Sequence, residues 1–233
     1  MDFILNSLTR ALDLIISFDP ELVEIVLLSL RVSGIAIVVS AVTALCATAA
    51  LDVRDFAGKH ALVTLVNTLM GLPPVVVGLV LYLVLSRSGP LGFLRLLYTP
   101  AAMVIAQVIL AVPIITGMSY AAVRSADPEL KYAAFTLGAT PLQATTKIMK
   151  HSRYAIVAAV LAGLGRVLAE VGAVLVVGGN IAGYTRVMTT AIALEADRGD
   201  FELAVALGMI LLAIAFVLNG ALYQLQKRGA AHG

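Results

Sequence analysis

Two ionisable residues of opposite charge, Arg166 and Glu170, lie in an otherwise apolar stretch of the sequence. An ionisable residue at membrane depth costs about 2.5–3.5 kcal/mol to insert, and it usually faces the interior of a helix bundle. Four residues apart on one helix, the two side chains can pair with each other. The pair is therefore either a structural ion pair that fixes helix packing or a part of a substrate path.

Motifs for catalysis are absent from the sequence. It has no phosphate-binding Gly-rich loop with its Lys-Ser/Thr, no His/Cys ligand cluster and no nucleophile elbow. The single cysteine, Cys46, lies in an apolar run, so neither a disulfide nor a metal cluster is predicted. We expect no catalytic residue, no metal site and no cofactor bound by this chain.

The elements that position the charged pair are predicted to be membrane-spanning helices. Hydrophobic residues make up 61% of the chain and charged residues 13%, a balance outside that of soluble domains. Five segments have about the 20 apolar residues that a spanning helix needs. They are 26–51, 61–86, 100–123, 155–179 and 203–225. Runs such as 155–164 are apolar all round, which excludes the alternation of a barrel. The prediction is an all-α, polytopic bundle of about five transmembrane helices.

The ends of the chain are predicted to lie outside this 26–225 membrane domain. Residues 1–25 lack a basic start and a small-residue cleavage site, so a removable signal peptide is not expected. An amphipathic helix at the membrane surface fits this segment better. Residues 226–233 form a short tail.

Segment 124–154 is the one long water-compatible interruption between the apolar runs, and its capping residues predict a helical hairpin. Asp127 can cap a first helix, and Gly138 can end it. Thr140 can cap a second helix, which Pro141 can open. The hairpin has the form of a docking element.

Orientation follows from the lysines and arginines, which are more frequent in cytoplasmic loops. Nine lie on the side of the hairpin, namely Arg54, Lys59, Arg124, Lys131, Lys147, Lys150, Arg153, Lys227 and Arg228. Five lie on the other side, namely Arg10, Arg87, Arg95, Arg186 and Arg198. The bias places the hairpin and the C-terminus in the cytoplasm.

The hairpin resembles the EAA loop of ABC importer membrane subunits, whose pattern is Glu-Ala-Ala, three residues, Gly, nine residues, Ile-x-Leu-Pro. The residues that this resemblance assigns to docking are Tyr132, Ala133, Ala134, Gly138, Ala139 and Ile148. The sequence departs from the pattern at Tyr132, where the family has Glu, and at Lys150-His151, where it has Leu-Pro. The small alanines would allow close contact with an ATP-hydrolysing partner, and Gly138 would set the bend. The alternative is an ordinary amphipathic loop.

A second set of motifs is similar to the permeases that import molybdate, tungstate and related oxyanions. It comprises Gly165-Arg166-x-x-x-Glu170-Val171-Gly172, the run from Gly178 to Arg186, and Thr189-Thr190-Ala191-Ile192. The tungstate branch is the most similar, over roughly residues 26–225. The resemblance implies a type I-like ABC permease in a bacterial or archaeal cytoplasmic membrane. It also implies a homodimer in membrane lipid, two copies of an ATPase that binds ATP and Mg²⁺, an extracytoplasmic oxyanion-binding protein, and no nucleic acid.

Segment 179–202 is predicted to be a re-entrant or pathway-lining element, because its apolar run 187–194 is too short to span. Backbone N–H groups of its glycines and threonine hydroxyls suit a tetrahedral dianion, which only accepts hydrogen bonds. The prolines in the second span mark either a pathway-lining kink or a tolerated bend. The candidate pathway residues are Pro73, Pro74, Arg166, Glu170, Asn180, Thr185, Thr189 and Thr190.

Other functions stay open from the sequence. Molybdate and sulfate share the shape and charge of tungstate, so a permease for either is an alternative. A secondary carrier driven by an ion gradient would use Glu170 as a proton relay. Against the carrier, the spans contain no other acid and the two halves show no inverted repeat.

Overall fold

A computed structural model describes residues 2–230, and over this range the chain is helical with no strand. Its helices are α1 (Asp2–Ile16), α2 (Pro20–Val53), α3 (Lys59–Leu69), α4 (Pro74–Leu85), α5 (Pro100–Arg124), α6 (Pro128–Thr136), α7 (Pro141–His151), α8 (Arg153–Leu168), α9 (Gly172–Gly178), α10 (Met188–Arg198) and α11 (Phe201–Ala230). The predicted all-α fold is confirmed. Met1 and residues 231–233 of the predicted tail lie outside the described residues.

Three of these helices, α2, α5 and α11, are each long and apolar enough to cross a membrane. Two helix pairs meet the same criteria of length and apolar composition when each pair is counted as one span. The α3–α4 pair is bent by 102° and the α8–α9 pair by 57°. Counted together, the three helices and two pairs match the five predicted segments, and the chain is a multi-pass membrane protein.

The α3–α4 break follows from local sequence. Pro74 occupies the first position of α4. A proline there has no N–H to donate into a preceding turn, and its ring restricts the residue before it to extended backbone. Pro73 is accordingly extended, with φ −67° and ψ 120°. A helix running through from α3 is therefore excluded at this position.

The α8–α9 break corrects the prediction of one helix over 155–179. Helix α8 ends at Leu168, and polar side chains bind backbone groups on both sides of the break. The carbonyl of Glu170 accepts a hydrogen bond of 2.8 Å from the Thr189 hydroxyl. The Glu170 carboxylate accepts one of 2.9 Å from the backbone N–H of Ala173, which supplies a cap for α9.

The chain divides into two compact units. Unit 1 comprises Met1–Ala36, Pro73–Gln107 and Val167–Val217, and unit 2 comprises Ile37–Leu72, Val108–Arg166 and Leu218–Gly233. Helices α2, α5, α8 and α11 contribute residues to both units, α8 only through its last two residues.

Unit 1 packs four helices around one core and holds two more in close backbone contact. Helices α1, α2, α10 and α11 supply the buried core residues Ala11, Leu22, Ile25, Met188, Ala191, Ala206 and Leu207. Helix α4 approaches α9 so closely that a Cβ placed on Gly78 would lie 2.8 Å from the Cα of Ala173. Only glycine permits this approach.

Unit 2 carries the predicted hairpin on a small apolar core. Val123 of α5, Ile148 of α7 and Ile156 of α8 are buried together, and Leu45 of α2 packs against them. The hairpin is thereby fixed to three of the longer helices through one face of α7.

Candidate functional site

The hairpin of unit 2, defined as α6, α7 and the turn at Gly138, forms from its own capping residues. The Asp127 carboxylate accepts a hydrogen bond of 2.9 Å from the N–H of Glu129 at the start of α6. Thr140 and Gln143 bind each other's backbone N–H reciprocally at the start of α7. Gly138 lies between the helices with φ +80°, a left-handed conformation that glycine adopts without strain. The predicted helix, glycine, helix arrangement is confirmed.

A groove of about 540 Å³ runs between the two helices of the hairpin. Ala133, Ala134, Gly138 and Ala139 line it together with Leu137, whose side chain is 88% exposed. Basic side chains from the end of α7, Lys147 and His151, border the same groove. A small-residue groove beside exposed apolar side chains and a basic rim has the chemistry of a protein-docking surface.

Two further motif residues, Tyr132 and Ile148, differ in exposure, and Ile148 also lines the groove. Tyr132 is 71% exposed, so a partner could contact its ring. The EAA pattern has a glutamate carboxylate at this position. Ile148 is buried in the core of unit 2 and positions α7. The motif therefore combines residues that a partner could touch with a residue that fixes the hairpin.

A polar cluster that the sequence did not predict lies at the end of α2. It consists of Asp52, Lys131 and Thr145 and is here called the Asp52 cluster. Lys131 of α6 donates to the Asp52 carboxylate at 3.0 Å and to the Asp52 carbonyl at 3.1 Å. The Thr145 hydroxyl of α7 donates to the same carboxylate oxygen at 2.7 Å. The only sequence signal was a lone acid at the end of an apolar run.

A neighbouring ion pair joins Asp55, in the α2–α3 connection, to Lys59 at the start of α3. Lys59 donates to Asp55 at 2.8 Å, four residues away. This hydrogen bond, with the positive charge of Lys59, holds the pKa of the Asp55 carboxyl below its usual value.

In unit 1, the polar groups of the α8–α9 break gather around a small cavity of about 10 Å³. Gln107 donates to the carbonyl of Val167 at 3.4 Å, while its own Oε1 is buried without a hydrogen-bond partner. Ser29 accepts a hydrogen bond of 2.7 Å from the N–H of Met188. The cavity has about the volume of one water molecule, so it is too small for an oxyanion. Its polar side chains connect neighbouring helices by hydrogen bonds.

The glycine-rich turn between α9 and α10 is held by its own polar side chains. The Thr185 hydroxyl donates to the carbonyl of Gly178 at 2.6 Å and accepts from the N–H of Ile181 at 2.9 Å. Asn180 donates to the carbonyl of Thr190 at 3.2 Å. These bonds fold the segment from Gly178 to Thr190 into one compact unit.

Arg186 is paired rather than free. Its guanidinium lies 3.3 Å from a carboxylate oxygen of Glu21 and 3.7 Å from one of Glu195. Glu195 is also bound by Arg198 at 3.2 Å. The arrangement joins the start of α2 to α10 within unit 1.

A second concave surface of unit 1 follows α4 and has a volume of about 1230 Å³. Arg87 and Arg95 line it with the hydroxyl residues Ser86, Ser88 and Tyr98. No carboxylate is among its described lining residues. Two cations beside hydroxyl donors favour an anionic ligand or surface.

The structure brings several of the predicted pathway residues together at the α8–α9 break and in the turn after α9. Glu170 and Thr189 are hydrogen-bonded, as are Asn180 and Thr190. Arg166 lies in the last turn of α8 and Glu170 follows the end of that helix, so the two residues do not share one continuous helix. Pro73 and Pro74 mark the other helix break.

Metal chemistry finds no support in the residues that the structure describes. Over this range, no three His, Cys, Asp or Glu side chains lie close enough together to hold a metal ion. The described residues do form a groove in the hairpin, polar contacts at the helix breaks and a positively charged concavity.

Residues 32–229 match the family model of the binding-protein-dependent transport system inner membrane component. The chain is 39% identical to the tungstate uptake system permease protein of Peptoclostridium acidaminophilum, over 97% of this chain and 100% of that protein. It is 47% identical to a probable anion ABC transporter permease protein of Haloferax volcanii, over 85% of this chain and 88% of that protein.

A solved structure shows the same fold at lower identity. A chain of a bacterial alginate ABC transporter, crystallised with an alginate-bound periplasmic protein, superposes with a TM-score of 0.71. It is 18% identical, over 88% of this chain and 78% of that one. Because the family model spans most of the sequence and the relatives match nearly its whole length, the chain belongs to the inner-membrane permease components of binding-protein-dependent ABC transporters.

Proposed function

We propose that two copies of this chain form the translocation path of an ATP-driven importer for an oxyanion, with tungstate as the favoured substrate. The observation that carries this proposal is the hairpin, whose exposed groove of small and apolar residues in a permease of this family needs a partner to cover it. Two copies of an ATPase subunit are the proposed partners. ATP and Mg²⁺ bind to those subunits, and this chain holds no cofactor.

Transport follows as a shift between two conformations of the assembly. ATP binding closes the ATPase pair, each hairpin moves with its ATPase as a rigid body, and the path between the two permeases opens outward. Short capped helices that are anchored at Ile148 and bent at Gly138 are suited to rigid-body movement. An extracytoplasmic binding protein delivers the substrate.

The substrate assignment depends on the relatives and on charge. A tungstate permease is 39% identical over nearly the whole chain, and the Haloferax volcanii relative is named for an anion. The concavity with Arg87 and Arg95 is positively charged, in agreement with an anionic substrate. Molybdate and sulfate are the competing substrates because they have the same shape and charge.

The membrane is proposed to be the cytoplasmic membrane of a bacterium or archaeon, with the hairpin and the C-terminus in the cytoplasm. The lysine and arginine bias supports this orientation. It is also the orientation in which the hairpin can reach a cytoplasmic ATPase.

The docking role is tested with Gly138→Val in the permease purified with its ATPase and binding protein. A β-branched residue in the left-handed region is strained by more than about 1–2 kcal/mol, so the angle between α6 and α7 must change. We expect ATP hydrolysis to lose its stimulation by the tungstate-loaded binding protein, and uptake to fall at least tenfold.

Gly199→Val is the matched control. Gly199 has φ +81° and open space around it, as Gly138 has, but it lies after α10 in unit 1. It carries the same backbone strain without altering the hairpin. Full uptake by the Gly138→Val protein would show that the hairpin is not the docking element.

A further inference from the structure

The Asp52 carboxylate is placed where the α2 helix alone disfavours it. Asp52 is in the last turn of α2, and only 7% of the residue is exposed. The C-terminal end of a helix carries partial negative charge, so a carboxylate there is repelled by the helix dipole. Burial adds the free energy of removing a charge from water.

Both unfavourable effects are offset by the hairpin. Lys131 brings a positive charge to the carboxylate and also binds the Asp52 carbonyl, which is among the last helical carbonyls of α2 that lack a helical partner. Thr145 adds a hydrogen bond of 2.7 Å to the ionised oxygen. The end of α2 is therefore stable with its charge only while α6 and α7 are both in place.

The cluster joins segments that are far apart in sequence. Asp52 lies 79 residues before Lys131 and 93 residues before Thr145. One carboxylate therefore holds both helices of the hairpin, one through an ion pair and the other through a hydroxyl. The hairpin's covalent neighbours, α5 and α8, do not include α2.

We propose that Asp52 is a positioning residue that transmits movement of the hairpin directly to α2, so that α6, α7 and the end of α2 move as one body during transport. The proposal rests on the proposed importer function. Helix α2 thereby takes part in coupling although it is not adjacent to the hairpin in the sequence. ATP hydrolysis and substrate passage are then linked through three hydrogen bonds, of which the one from Thr145 is buried and the two from Lys131 are partly buried.

The test is the number of oxyanions transported per ATP hydrolysed, measured on assembled complexes in proteoliposomes. Asp52→Asn removes the charge at nearly constant volume, Lys131→Met keeps the long stem without the ammonium, and Thr145→Val keeps the shape without the hydroxyl. We expect each of the first two to lower the ratio at least about fivefold, with Thr145→Val less severe, while basal ATP hydrolysis continues.

Exchanging the two charges provides a rescue. Asp52→Lys combined with Lys131→Asp restores an ion pair, and the Thr145 hydroxyl can accept a hydrogen bond as well as donate one. The double variant should regain at least half of the wild-type ratio, which a role in volume filling alone would not produce.

Asp55→Asn is the control, because it breaks a Lys-Asp ion pair of 2.8 Å whose partner, Lys59, lies only four residues away. The Asp55 carboxylate lies in the field of Lys131 but receives its hydrogen bond from Lys59. Its ratio should equal that of the wild type. A normal ratio in both Asp52→Asn and Lys131→Met would overturn the proposal. Failure of these variants to assemble, while Asp55→Asn assembles, would also overturn it, because the cluster would then serve folding alone.

A second measurement separates this proposal from the importer function itself. In Asp52→Asn, backbone amide hydrogen exchange should accelerate in Pro128–Thr136 and Pro141–His151 and in the last turn of α2, with α4 and α9 unchanged. This result needs no substrate. A wild-type protein that fails to transport any oxyanion would remove the proposed function, whereas unchanged exchange in the hairpin would remove the coupling role of Asp52.

Discussion

At the scale of single residues, threonine hydroxyls of unit 1 repeatedly form hydrogen bonds with backbone groups. The Thr189 and Thr185 hydroxyls both donate to carbonyls, so in this conformation their hydrogens are not directed to a ligand. Each satisfies a carbonyl or an N–H that irregular backbone leaves without a helical partner. The assignment of Thr185 and Thr189 to the translocation pathway stays a prediction. Their hydrogen bonds to the backbone are what the structure shows.

The role of Thr189 predicts the effect of removing its hydroxyl. In Thr189→Val the buried carbonyl of Glu170 loses its donor, which costs about 1–3 kcal/mol. Thermal unfolding of the detergent-solubilised protein should show a lower midpoint.

Thr43→Val is the control for this prediction, because the exposed Thr43 hydroxyl only returns to a carbonyl of its own helix. Its midpoint should match that of the wild type. Equal stability of the Thr189→Val protein would show that the α8–α9 break does not depend on this bond.

Residue-level features were predictable where the signal was local. The hairpin was predictable from Asp127, Gly138 and Thr140, because a capping residue acts within three residues of the helix end that it caps. The Asp52 cluster and the Thr189 bond to Glu170 were not predictable. Their partners are brought together only by the tertiary fold.

At the scale of elements, two kinds of helix break coexist. The α3–α4 break is encoded by consecutive prolines, whereas the α8–α9 break has no proline and depends on side chains from other helices. Hydropathy located both spans but could not show the second break, since apolar composition is the same in a bent and in a straight helix. The two pairs meet where α4 packs on α9.

The close packing of α4 on α9 predicts sensitivity at Gly78. A valine there would place its Cβ 2.8 Å from a backbone carbon, which no side-chain rotation relieves. We expect Gly78→Val to destabilise the protein by about 1–3 kcal/mol, as overpacking does, measured as a lower unfolding midpoint.

Gly208→Val is the comparison for this packing effect. Gly208 is also within a helix, α11, but a Cβ built on it meets nothing of this chain within 4 Å. If the two variants unfolded at the same temperature, the tight contact between α4 and α9 would be refuted.

At the scale of the whole molecule, the chain combines an exposed hairpin in unit 2 with two helix breaks, one between α3 and α4 and one between α8 and α9. Three long helices, α2, α5 and α11, contribute residues to both units. The Asp52 cluster attaches the hairpin to one of those helices, α2. This organisation agrees with a permease whose energy comes from a separate ATPase.

The central claim is that this permease imports an oxyanion by using ATP hydrolysed on a partner. The most direct test is uptake of tungstate into proteoliposomes that contain the permease, its ATPase and its binding protein. We predict that uptake requires ATP and that a pH gradient alone does not drive it. Molybdate or sulfate should reduce tungstate uptake only when present in large excess. Uptake driven by the pH gradient without ATP would contradict the claim and favour a secondary carrier.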